Sequence, residues 1–334
     1  MTQTRNKHID IAKTLAIFLV VMQHAWSMLG LDDPSWGLLC SAYCSVSTLG
    51  VNLFIFISGA LLLSQKPEPV LEFYSKRLKR LLIPFVTLAM VAYSASLLMG
   101  AYAWWDGTVK MALFNFIPVL LENKINIFHW FVHMLFVLYL FTPLLQRSLQ
   151  SLTQRETELL LLIWVIGFLL KQYYPEMQLS KYLPSLWTHL GLYITGYYVY
   201  HFRTKNKKYL IISIFSFLLL CIINILTYCA IEITRHLATI FLGIICFNLP
   251  IFSPSSQSCM GRMTIKFSRY SYTIYLLHIL LIRAIYIVTE SYFSNIAIGW
   301  VPLIVTPLIM IVFYVACTLY DKIKWLPNNL IGIG

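Results

Sequence analysis

Long apolar runs separated by short, basic gaps make up most of the chain. They lie at 10–30, 46–64, 78–100, 127–146, 158–174, 183–201, 209–228, 236–252, 270–289 and 297–319. Each has about the 17–25 residues that a helix needs to cross a bilayer. The stretch Met111 to Leu121 is apolar but too short to span, which predicts an interfacial or re-entrant segment. No gap can hold a globular domain, and no internal repeat or low-complexity tract is visible. The pattern predicts an all-α fold, a polytopic membrane helical bundle of about ten transmembrane helices, as one domain over 1–334.

Charge distribution gives the bundle a direction. With the N-terminus inside, 19 of the 25 Lys and Arg fall in cytoplasmic segments. Lys110, Lys124, Lys171, Lys181 and Arg235 fall outside, and Arg283 lies within a span. That bias predicts both termini in the cytoplasm. The net charge of +12 then reads as a topology signal that meets anionic lipid headgroups, and no basic stripe suggests nucleic acid.

Composition narrows the class further. Charged residues are 11% of the 334, against about 25% in soluble domains, while 59% are hydrophobic. The seven cysteines mostly sit in apolar runs, as small hydrophobes do. Cys40 and Cys44 lie near an outer loop, but an i,i+4 pair on a helix has poor geometry for a disulfide. The first run follows charged residues without a small-residue cleavage pattern, so no cleavable signal is expected.

Chemistry must come from polar residues inside the spans. Lys13 and His24 are eleven residues apart, close to three full turns, so they share a helix face about 16 Å apart along the axis. Lys13 falls at the cytoplasmic rim and His24 beyond the midplane. An ionisable group at that depth is a functional candidate, and imidazole suits proton abstraction. A neutral histidine hydrogen-bonded between helices is the plain alternative. Asn52 in the second span reaches about the depth of His24. It can orient the ring, donate to an oxyanion, or merely join helices.

Arg77 and Arg80, spaced i,i+3 at the start of the third span, can clamp a phosphate or only anchor to headgroups. Ser271, Tyr275 and His278 share a face at i, i+4 and i+7 in the ninth span. His129 and His133 have a zinc-compatible spacing, but no third ligand stands at a fitting distance along the chain, so no metal site is expected. His189 and His236 are expected at the membrane interfaces. Asp32 and Asp33 are weak carboxylate candidates beside His24. Nucleotide loops, nucleophile elbows and kinase signatures are lacking.

These residues together resemble the acyltransferase-3 family of bacterial integral membrane acyltransferases. The resemblance rests on Lys13 with ten residues before His24, on Asn52-Leu-Phe-Ile-Phe-Ile-Ser58-Gly59, and on Arg77-Leu-Lys-Arg80. It continues with His129-Trp130-Phe131 and Ser271-Tyr-Thr-Ile-Tyr275-Leu-Leu-His278. The chain's size is similar to that of stand-alone members that O-acetylate surface polysaccharides. The resemblance implies a multi-pass protein of the bacterial inner membrane. It also implies acetyl-CoA as donor from the cytoplasm and a hydroxyl of a cell-surface or lipid-linked glycan as acceptor. His24 becomes the base or acyl-relay histidine, Lys13 its motif partner, and Arg77 with Arg80 the coenzyme-holding pair. Lys13, Tyr275 and His278 join the donor side, and Asn52 the catalytic side.

A secondary transporter or flippase of a glycan or anionic small molecule is the rival reading. Missing repeat symmetry and few intramembrane carboxylates weigh against it. A non-catalytic scaffold would leave Lys13, His24 and the arginine pair without a reason.

Overall fold

The structure, a computed structural model, describes residues 6–27, 37–98, 105–125, 129–177, 186–202, 207–248, 258–293, 301–323 and 327–331. Asp32 and Asp33 lie outside the described residues, as do Arg5, Lys181, Arg203, Lys205 and Lys324 among the cations counted above.

Among the described residues the fold is all-α. The helices are α1 (Lys7–Ser27), α2 (Gly37–Ser47), α3 (Leu49–Leu62), α4 (Val70–Arg77), α5 (Ile83–Leu98), α6 (Val109–Leu121) and α7 (Trp130–Ser151). They continue as α8 (Gln154–Tyr173), α9 (Leu186–Phe202), α10 (Lys207–Leu226), α11 (Glu232–Asn248), α12 (Cys259–Phe293), α13 (Val301–Ile323) and α14 (Asn328–Ile331). Every apolar run read from the sequence overlaps one of them. At least 6 helical segments are long and apolar enough to cross a bilayer, which makes this a multi-pass membrane protein. The outward faces agree: Ile211, Phe215, Leu218 and Ile222 of α10 are all exposed, an arrangement suited to lipid.

Two boundaries differ from the sequence reading. The second apolar run begins inside α2, a separate helix that Thr48 divides from α3. The ninth starts at Cys259 rather than near 270, because its polar first turns are held by α1. There Thr14 Oγ1 donates to the Thr264 carbonyl at 3.0 Å, and Ser268 Oγ donates to Asp10 Oδ1 at 2.5 Å. Asp10 is thereby buried at a helix–helix seam. The short apolar stretch is α6, started by Thr108, whose side chain accepts from the Met111 amide at 3.3 Å.

The core is built around α1 and α3. Helix α1 touches α2, α3, α11, α12 and α13, while α3 touches α1, α9 and α11. Close approach needs small residues at the crossings. A Cβ on Gly50 would stand 2.8 Å from the Ala16 carbonyl oxygen of α1. A Cβ on Gly59 would strike the Tyr193 carbonyl of α9, and one on Gly196 would strike the Phe56 carbonyl of α3. The paired glycines thus let α3 and α9 cross backbone to backbone. Asn52 and Ser58 of α3, on different sides of the helix, each line one of two interior cavities.

Candidate active site

Among the described residues, two cavities in the bundle have a wall residue in common, Tyr275 of α12. The first, of about 210 Å³, is lined by Lys13, Ser58, Arg77, Arg80, Tyr139 and Ser271, with several aromatic and leucine side chains. Lys13 comes from α1 and Arg77 from the end of α4. Arg80 sits in a π-helical turn, Leu78–Leu82, that joins α4 to α5. The wide turn has a local cause. Pro84 has no N–H, so the Arg80 carbonyl loses its usual α-helical donor. The Ile83 amide then reaches back five residues to the Leu78 carbonyl. Such turns are frequent at functional sites.

Arg77 is held but not saturated. Its Nη2 donates to Gln65 Oε1 at 3.3 Å and its guanidinium lies over the Phe73 ring at 5.1 Å, while Nε has no partner. Tyr139 is hydrogen-bonded to Ser58, and Tyr272 donates to the Leu81 carbonyl at 2.9 Å. The cavity therefore presents three cations and no carboxylate among its described lining residues. An extended anionic ligand fits that electrostatics.

The second cavity, of about 390 Å³, is lined by His24 and Gln23 of α1, Asn52 of α3, and Trp130 of α7. His189 of α9 and Glu232, Arg235 and His236 of α11 complete the wall. Gln23 accepts from Ser47 Oγ, which accepts in turn from Trp26 Nε1 at 3.2 Å, fixing α1 to α2 beside His24. The His24 ring lies 5.0 Å from the His278 ring, centroid to centroid. His278 Nδ1 sits 2.6 Å from the Tyr275 carbonyl and 3.2 Å from that of Ile274. Both partners are acceptors, so Nδ1 carries the proton and the buried, unpartnered Nε2 keeps its lone pair.

The site residues expected from sequence thus separate into two groups. Lys13, Arg77 and Arg80 meet at the basic cavity, and His24 with Asn52 at the histidine cavity. Tyr275 stands at the junction. His278 backs His24 instead of lining the basic cavity, because α12 turns it toward α1. His189 and His236, expected at the membrane interfaces, both line the histidine cavity, their rings 6.5 Å apart. The cause is the packing of α11 on α1 and α3, which carries His236 inward. Sequence reasoning passed over Ser58 and Tyr139 as lining residues, and Glu232 with Arg235 altogether as site residues. The spacing of Glu232, Arg235 and His236, at i, i+3 and i+4, was the available signal that they share a helix face.

His129 and His133 are otherwise engaged. His129 is hydrogen-bonded to the Leu276 backbone, His133 Nδ1 lies 3.1 Å from the His129 carbonyl, and both rings meet Phe85 edge-on. Among the described residues no group of three His, Cys, Asp or Glu side chains is arranged to hold a metal ion.

Residues 6–321 match the acyltransferase domain family Acyl_transf_3. No curated protein and no solved structure matches the chain.

Proposed function

Since the chain belongs to the Acyl_transf_3 family of acyltransferases over nearly its whole length, we propose that it is a membrane O-acetyltransferase. In this reading it moves the acetyl group of cytoplasmic acetyl-CoA to a hydroxyl of a cell-surface or lipid-linked glycan, in the bacterial inner membrane. The observation that carries the reading is the pair of cavities meeting at Tyr275, with fixed cations in one and a buried imidazole pair beside the other.

Coenzyme A is a polyanion with a long, thin arm. Arg77, Arg80 and Lys13 supply the cations for its phosphates, and the unpartnered Nε of Arg77 is a donor awaiting a ligand. A cavity of about 210 Å³ suits the arm better than the nucleotide, which would rest at the basic rim. Family membership points to acyl transfer, and the separation of cations from imidazoles gives that transfer two ends. A transporter has no comparable need for a basic slot ending at a histidine pair.

The chemistry proposed for His24 is general base catalysis. Its ring takes the acceptor hydroxyl proton as the oxygen attacks the acetyl carbonyl carbon. The C–O bond forms and the carbonyl electrons move onto oxygen, where Asn52 or Tyr275 donates a hydrogen bond. Collapse breaks the C–S bond, and the proton held by His24 passes to the departing thiolate. Its neighbour His278, kept in one tautomer by the Tyr275 carbonyl, orients the His24 ring.

The test is mass spectrometry of lipid-linked and surface glycans from cells carrying wild type, His24→Ala or empty vector. An acetyl increment seen only with wild type supports the reading. The same increment with His24→Ala would remove His24 from the mechanism, and its absence from every sample would oppose acetyl transfer to glycans.

A further inference from the structure

Arg235 stands out in the histidine cavity because the reaction described above does not use it. It lies on α11, only partly exposed, and its Nε is buried without a hydrogen-bond partner. Among the described residues it forms no ion pair. Glu232 lines the same cavity one turn earlier, yet the two side chains do not bridge. The other close titratable groups are imidazoles and the thiols of Cys44 and Cys229, and Glu232 is the one carboxylate among the cavity's described lining residues. A buried guanidinium N–H without an acceptor is costly unless a ligand completes it.

Next to it, His236 offers the complementary chemistry. Its Nδ1 is 3.0 Å from the Glu232 carbonyl, so Nδ1 carries the proton and the unpartnered Nε2 is an acceptor. Trp130 adds a half-exposed aromatic surface in the same wall. A fork of cationic donors, a hydrogen-bond acceptor and an aromatic plate together fit a hydroxylated ring that carries an oxyanion. The cavity volume, about 390 Å³, lies within the range of small-molecule sites.

We infer that the histidine cavity is an acceptor subsite selective for an acidic saccharide, with Arg235 clamping its carboxylate or phosphate and His236 accepting from a neighbouring hydroxyl. The inference rests on the acetyltransferase reading for the word acceptor, though not for the anion site itself. It makes Arg235 a specificity-determining residue, set apart from the donor-holding cations around Arg77.

The experiment measures the thermal unfolding midpoint of the purified full chain in detergent with glucuronate, glucose 1-phosphate or glucose. Acetyl-CoA is titrated separately. At least one of the two acidic sugars is expected to raise the midpoint at concentrations at least tenfold below any effect of glucose. Which one acts at the lower concentration assigns carboxylate or phosphate as the preferred group. Arg235→Gln should abolish the preference while keeping the acetyl-CoA response, and Arg235→Lys should retain the preference with weaker binding. The inference is overturned if glucose acts as well as both acids, if none of the three stabilises wild type, or if Arg235→Gln behaves as wild type. Loss of the acetyl-CoA response in wild type, with the acid response intact, would instead sink the acetyltransferase reading and leave the anion site standing.

Discussion

The basic cavity and the histidine cavity share Tyr275 but are built from opposite kinds of chemistry. Around the first, Lys13, Arg77 and Arg80 are cationic side chains with no carboxylate among the described lining residues. Around the second, His24, His189 and His236 present imidazole nitrogens, and Asn52 and Gln23 add uncharged dipoles. Permanent charge suits holding a polyanion in one place. Exchangeable protons suit making and breaking bonds to hydroxyl oxygen. In the proposed reading this difference separates binding from bond-making along α1, with Lys13 at one end of a helix face and His24 at the other.

Four variants would break or sharpen that division. The largest effect is expected for His24→Ala, which should lower the acetylation rate by roughly 10²–10⁴ with acetyl-CoA binding intact. Single-turnover transfer and equilibrium donor binding, measured on the same preparation, would check both halves. If donor binding fell as much as transfer, the division of labour would be lost. Asn52→Ala should lower kcat by about 10²–10³ if its amide serves the oxyanion, with little change in KM for acetyl-CoA. A change confined to KM would move Asn52 from chemistry to binding.

The arginine pair should show the mirror image. Arg77→Ala with Arg80→Ala is expected to raise KM for acetyl-CoA by about tenfold to a hundredfold, since a hydrogen bond to a charged group contributes ~1.5–3 kcal/mol. Raised ionic strength should weaken wild-type donor binding and affect the double variant less. Equal salt sensitivity of the two proteins would argue against a phosphate contact. The smallest effect is structural: Gly59→Ala should cost about 1–3 kcal/mol by overpacking. Its Cβ would press on the Tyr193 carbonyl, a backbone atom that cannot swing aside. A detergent melting curve unchanged from wild type would show that α3 and α9 can separate there without loss.

Much of this arrangement was legible along the chain. Lys13 and His24 share a face because eleven residues make close to three turns, and Arg77 with Arg80 stand at the head of an apolar run. Both features are local and periodic, so sequence carries them. Tyr275 was legible as part of a polar stripe with Ser271 and His278, but its place between two cavities was not. That place depends on which helices lie on either side of α12. His236 illustrates the same limit, since its position near a span end says interface, whereas the packing of α11 against α1 and α3 makes it a wall of the site. Cysteine pairing is another case. Spacing gave Cys40 and Cys44 poor geometry for a disulfide but could not say what either thiol meets; the structure sets Cys44 against Cys229 from the turn before α11, and none of the seven cysteines is in a disulfide.

The sequence by itself determined the helices, their membrane character and the two motif ends of α1, because hydrophobic period and chain spacing act over one or a few turns. Only the tertiary structure decided how those ends are connected. Contacts among α1, α3, α7, α11 and α12 join residues hundreds of positions apart, such as His24 with His278 and Asp10 with Ser268. Such contacts depend on glycine crossings and side-chain volumes acting together, and no local pattern along the chain specifies them.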